Sequence, residues 1–147
     1  MAGRFEVTVE INRPIDEVFA YLAAGVNDVN FSPRVQEIVQ TTDGQPGVGT
    51  VFASTVKDAG MTTKREIELT EFVAPNKIRW TERSKNLVTS REGGYDLEPA
   101  GAGTRVTLFN VLEGHGFGKV ITPLAVSAAR KEAPAFGQRI KAAIEAS

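Results

Sequence analysis

Four side chains in the middle of this chain carry most of the chemistry its sequence offers: Arg65, Trp80, Glu82 and Tyr95. In Ile78-Arg79-Trp80-Thr81-Glu82 every second residue falls on one face of an extended strand, so Trp80 and Glu82 lie beside Ile78. By the same rule Arg65 shares a face with Ile67 and Leu69, and Arg91, Gly93 and Tyr95 share another with Leu97. If Ile78 faces a core, these strands put two arginines, a carboxylate, a phenol and an indole on one inner surface. A charge buried alone is costly, so such groups inside a cavity would pair with one another or meet polar atoms of a ligand. The competing reading leaves the charged groups in solvent at strand ends and packs Trp80 into solid core.

Other chemistries have weaker signals. His115 is a residue type that can serve as a general base, yet no nucleophile or carboxylate is fixed beside it by local spacing, and a solvated loop histidine is the better reading. Gly114-His115-Gly116-Phe117-Gly118 precedes a helix, but it lacks the lysine and hydroxyl of a phosphate loop. It reads as a corner between strand and helix. With one histidine and no cysteine, the usual zinc and iron sites, thiolate nucleophiles and disulfides drop out together. No metal and no cofactor is expected, and no catalytic residue is assigned.

Charge narrows the partners. Seventeen basic residues against eighteen acidic ones give a net charge of −1, so no long-range field draws phosphate backbones to the chain. Nucleic acid is not an expected partner. No window approaches the ~20 apolar residues of a membrane span, and the first residues lack a signal-length apolar run. A cytoplasmic protein is the expectation, with residues 1–147 forming one domain.

The elements that must position these residues are marked by their periodicities. Arg4 to Ile11 alternates, with Phe5, Val7, Val9 and Ile11 on one face. Pro14 opens a short helix in which Ile15, Val18, Phe19 and Leu22 recur at helical spacing, and Ala23 to Pro33 forms a second short helical turn or loop. Five or six strands follow between Val35 and Glu113, separated by Gly, Pro and Asn turns, with Gly93-Gly94 expected as a bulge. The last strand is ambiguous, because Val106 and Leu108 fall on one face and Phe109 and Val111 on the other. Either a bulge shifts its phase or the outer face meets a second subunit, so a homodimer is one expectation.

A long amphipathic helix closes the chain. Phe117, Ile121, Leu124, Ala128, Phe136, Ile140 and Ala143 form the apparent stripe, with Glu132 its one charged member and a kink expected at Pro134. Laid on a curved sheet, this helix encloses a cavity. The expected lining is Phe19, Arg65, Ile67, Ile78, Trp80, Glu82, Tyr95, Leu124, Ala128 and Phe136.

Val9-Glu10-Ile11-Asn12-Arg13-Pro14-Ile15-Asp16-Glu17-Val18-Phe19, the loop Gly44 to Thr50, Glu71-Phe72-Val73-Ala74-Pro75-Asn76-Lys77-Ile78, and Tyr95-Asp96-Leu97-Glu98-Pro99 with Gly103-Thr104-Arg105-Val106-Thr107 resemble the START-like, or SRPBCC, superfamily across nearly the whole chain. The resemblance implies an α+β helix-grip fold: a curved antiparallel sheet of six to seven strands around a long C-terminal helix, with two short helices after strand 1. It also implies a small hydrophobic ligand, such as a lipid, isoprenoid or polyketide, held between sheet and helix. Two other functions follow from the same resemblance. One is a polyketide cyclase/dehydrase using Tyr95, Arg65 or Glu82 as acid, base and carbonyl polariser; the other is a protein-interaction module without ligand.

Overall fold

The computed structural model describes residues 2–58 and 60–147. Strand β1, Ala2–Ile11, alternates between exposed and inward positions as its sequence dictates. Pro14 caps helix α1, Ile15–Ala23, whose first turn holds Asp16 and Glu17 and whose buried face is Val18, Phe19, Leu22 and Ala23. A 3₁₀ helix, Gly25–Asn30, follows. A Cβ on Gly25 would stand 3.0 Å from the Phe52 ring, so glycine lets this turn lie flat on the sheet.

Six strands complete the meander: β2 Val35–Gln40, β3 Val51–Asp58, β4 Met61–Val73, β5 Lys77–Glu82, β6 Val88–Ala100 and β7 Gly103–Gly114. They join β1 in one antiparallel seven-stranded sheet of order β1-β7-β6-β5-β4-β3-β2. This is the helix-grip fold. Helix α2, Gly118–Ala146, spans 29 residues, or about 44 Å. It lies mainly against β1 and β7 at one side of the sheet. Its C-terminal end is tied back to β1 by Asn12, whose amide donates to Glu145 Oε2 at 2.8 Å, and by Lys141 donating to the Glu10 carbonyl.

The core on the concave face gathers Val9, Ile11, Val18, Phe19, Leu22, Phe52, Leu69, Ile78, Leu97, Val106, Leu108, Ile140 and Ile144. Three sequence expectations change here. The first concerns the buried face of α2, which is Gly118, Thr122, Val126, Ala133, Gly137, Ile140 and Ile144. Phe117 and Leu124 are instead 70% and 73% exposed, and Ala128 is exposed too. Small residues win because the helix backbone sits close to the sheet: a Cβ on Gly118 would collide with the Leu87 carbonyl, and one on Gly137 would touch Val7.

The second concerns the sheet bulge, which falls between Ser90 and Glu92, not at Gly93-Gly94. It rotates Arg91 out of phase with Tyr95, and Arg91 pairs with Glu113 with its side chain more than half exposed. The third concerns β7. Val106 and Leu108 face the core, while Phe109 points to the outer face and is still buried. The Arg4 and Arg79 guanidiniums cover its ring at 4.2 and 4.8 Å from the centroid. Neither a phase shift in β7 nor a second subunit is needed to shield it.

Candidate functional site

Between the concave sheet face and α2 lies a cavity of about 180 Å³. Its floor is built around a glycine. Trp80, Gly93 and Asn110 are register partners across β5, β6 and β7. A Cβ on Gly93 would stand 2.3 Å from both Trp80 Nε1 and Asn110 Oδ1, so only glycine lets the two side chains meet above it. Trp80 Nε1 donates to Asn110 Oδ1 at 3.3 Å, and Ser90 Oγ donates to the same oxygen at 2.7 Å. Tyr95 stands edge-on to Trp80 with ring centroids 5.2 Å apart. Leu108 and Phe5 extend this wall toward β1.

The roof comes from α2 through Ala129, Glu132, Ala133 and Phe136, and the mouth from Asp28, Phe31, Ser32 and Arg34 in and after the 3₁₀ helix. Phe31 packs edge-on against Phe136 at 5.8 Å. Arg34 donates to Glu132 at 2.8 Å, joining the loop to α2 across the mouth, and its Nε reaches Asp58 at 3.2 Å. The Arg34 bond holds the Glu132 carboxyl below the usual carboxylate range. Arg139 stays outside the wall, donating to the Phe31 carbonyl and lying over the Phe136 ring.

Two polar groups on the wall lack such partners. Burial pushes the Asp28 carboxyl up to about 7, with no offsetting cation or hydrogen bond among the described residues. Burial first, then the nearby Asp28 and Tyr21, pushes the Tyr95 phenol well above its ordinary value, so it stays protonated at every physiological pH. The cavity therefore presents a phenolic donor and a carboxyl poised between donor and acceptor.

The sequence-predicted site residues separate into four groups. Trp80, Tyr95 and Phe136 stand on the cavity wall. Phe19, Ile67 and Ile78 lie on or beside the core: Phe19 stacks edge-on with Phe72, Ile78 is 1% exposed, and Ile67 pairs with Phe52 and Glu82 on its strand neighbours. Leu124 and Ala128 are on the solvent side of α2, for the reason of close helix approach given above.

Arg65 and Glu82 face inward but are occupied with each other. Arg65 reaches Glu82 Oε2 at 3.1 Å, and that carboxylate also accepts from Ser84 Oγ, Asn86 Nδ2 and the Ser90 amide. Such a satisfied pair braces the ends of β4, β5 and β6 and leaves no free lone pair for a ligand. His115 bonds Thr89 Oγ1 at 2.7 Å on the strand-helix corner, away from the cavity. Asp28, Arg34 and Asn110 went unread in the sequence. The inward phase of Val106 and Leu108 points to Asn110, whereas Asp28 sits in a turn with no periodicity to flag it.

A second depression, about 380 Å³, lies on the opposite sheet face around Val39, Ala53 and Lys64. Its wall has no aromatic residue, so the inner cavity is the candidate site.

The sequence matches the family described as polyketide cyclase/dehydrase and lipid transport over residues 2–145. The chain belongs to that family. Among solved structures, this polyketide cyclase/dehydrase family member is similar to the Zhui aromatase/cyclase from Streptomyces sp. R1128, with TM-score 0.78, 16% identity, and 99% of this chain and 94% of that one covered. TTHA0849 from Thermus thermophilus gives TM-score 0.76 at 19% identity, covering 98% of both chains. Ara h 8.0201 gives 0.70 at 16%, covering 100% of both. At these identities the likeness is one of fold. No curated protein matches the sequence significantly. No helix among the described residues is long and apolar enough to cross a membrane.

Proposed function

We propose that this protein binds a small, largely apolar molecule carrying one or two polar groups, of isoprenoid, lipid or polyketide size class, in the cavity between sheet and α2. The observation that carries the reading is an aromatic-walled cavity of about 180 Å³ into which Asp28 and Tyr95 present unpartnered polar groups. Affinity comes from apolar burial at about 25 cal/mol per Å², and the two polar groups orient the ligand. The cavity suits a one- or two-ring body or a short branched chain. Family membership supports the same reading.

Geraniol, an isoprenoid alcohol that does not absorb where indole emits, tests it through the single tryptophan. A saturable shift in Trp80 emission at one molecule per chain is expected. A flat response to geraniol and to a short-chain ketone would remove the reading.

A second, enzymatic reading is favoured by one feature, the Asp28 carboxyl near neutrality beside a protonated Tyr95 phenol. A carboxyl at about 7 can take a proton from an activated carbon while a phenol polarises the adjacent carbonyl. Incubation with a linear poly-β-carbonyl thioester separates the readings: accelerated cyclisation that Asp28→Asn abolishes indicates turnover, and unchanged cyclisation indicates binding alone.

A further inference from the structure

The charge inventory of the cavity wall is short. Its ionisable groups are Asp28 and Arg34 from the α1–β2 connection, Tyr95 from β6 and Glu132 from α2. Arg34 is already divided between Glu132 at 2.8 Å and Asp58 at 3.2 Å. Tyr95 stays neutral, with Tyr21 of α1 close by, and Arg139 is held outside by the Phe31 carbonyl and Phe136 ring. With Asp28 ionised the wall sums to −1, and no unpaired cation among the described residues faces the space.

Five aromatic rings, Phe5, Phe31, Trp80, Tyr95 and Phe136, bound that same space. Their faces carry negative electrostatic potential and attract cations. A carboxylate or phosphate brought there would meet like charge in a partly buried site, whereas an ammonium group would supply the partner Asp28 lacks.

Granted the binding reading above, we propose that the preferred ligand is a cationic amphiphile: an ammonium head against Asp28, an apolar body among Trp80, Phe31 and Phe136, and no carboxylate or phosphate. This separates amines from fatty acids and other anionic lipids as ligand classes. The Tyr95 hydroxyl and the Asn110 amide then bind any carbonyl or hydroxyl on the body.

The sign of the pH effect follows. Asp28 carries its charge only above about pH 7, so ammonium binding strengthens as pH rises through that value. Neutral ligands should show little change.

Calorimetric titration with three probes of one ring system provides the test: 1-naphthylmethylammonium, 1-naphthylmethanol and 1-naphthoate, the first and last charged throughout the range used. At about pH 8 the ammonium should bind roughly tenfold or more tighter than the alcohol, and the carboxylate roughly tenfold weaker. Near pH 5.5 the ammonium's advantage should shrink to about threefold or less. In Asp28→Asn the advantage and its pH dependence should both vanish while the alcohol still binds, which also shows that the variant is folded. Naphthoate binding as tightly as the ammonium, or an ammonium preference that survives Asp28→Asn, overturns the proposal while leaving the cavity reading intact. Failure of all three probes, the alcohol included, overturns both.

Discussion

Asp28→Asn should make the protein more stable at alkaline pH, an unusual result for a polar residue on a cavity wall. The Asp28 carboxyl rises from 3.8 in the free chain to about 7 on folding, a difference of about 3 units. At about 1.36 kcal/mol per unit, ionisation costs the folded state at most about 4 kcal/mol. The residue keeps some solvent contact through the cavity, and the replacing amide has its own desolvation cost, so the expected gain is about 1 to 3 kcal/mol. The sign is fixed by linkage. Folded Asp28 holds its proton up to about pH 7 and the unfolded chain releases it near 3.8, so wild-type stability relative to the variant declines between those values. Below the unfolded pKa the two proteins should differ little, and above about pH 7 the gap should be full. Urea denaturation of both proteins at a series of pH values measures the difference, and the other carboxylates cancel in it. A variant of equal or lower stability at about pH 8, or a gap that does not close toward acid, would refute the argument that burial acts on an unpaired carboxyl.

Three further outcomes can be checked on the same material. Trp80→Ala should weaken ligand binding by ~1 to 3 kcal/mol while costing less stability than the ~3 to 5 kcal/mol of a packed core aromatic; a large stability loss with no ligand response at the indole would make Trp80 core. Gly93→Ala must displace Trp80 or Asn110, so a loss of about 1 to 3 kcal/mol in urea and a shifted indole emission are expected; a variant with unchanged emission would contradict the built floor. Glu132→Gln removes a half-exposed ion pair worth about 0 to 1 kcal/mol, so stability should barely change while stopped-flow association quickens several-fold; an unchanged rate would show that the mouth does not open there.

The strands were legible because alternation in a half-buried sheet is a local property: Phe5, Val7, Val9 and Ile11, or Ile78 and Trp80, declare their face within a few residues. The long helix was legible in extent, and in phase over its second half, where Phe136, Ile140 and Ala143 face the core, but not over its first turns. Its sheet-facing side is written in Gly118, Thr122, Ala133 and Gly137, residues chosen for closeness, while Phe117, Val120 and Leu124 carry the hydrophobicity and face outward. A stripe sought by size therefore points the wrong way over the first turns. Phe109 misled for a related reason, since arginine stems can cover an aromatic ring as well as a second sheet can.

The site was only partly legible. Trp80 and Tyr95 follow from strand phase, but Arg65 and Glu82, equally inward by phase, turn out to satisfy each other. Whether two inward charges meet a ligand or one another depends on the register of the β4–β5 pairing, which shifts between Leu69 and Glu71. Asp28 is the extreme case. It lies in the short 3₁₀ helix Gly25–Asn30, and it faces the cavity because Gly25 seats that helix against Phe52 and Phe31 packs on Phe136.

The central claim, that a ligand occupies the space between sheet and α2, is tested most directly by the one indole N–H resonance the chain provides. Titration with 1-naphthylmethanol, followed by ¹H–¹⁵N spectra, should move the Trp80 Nε1–H signal saturably, because that group lies at the cavity floor against Asn110. The backbone amides of Asp28, Asn110, Ala133 and Phe136 should move with it at the same midpoint. Shifts confined to the exposed face around Phe117, Val120 and Leu124, with the indole signal unmoved, would contradict the account.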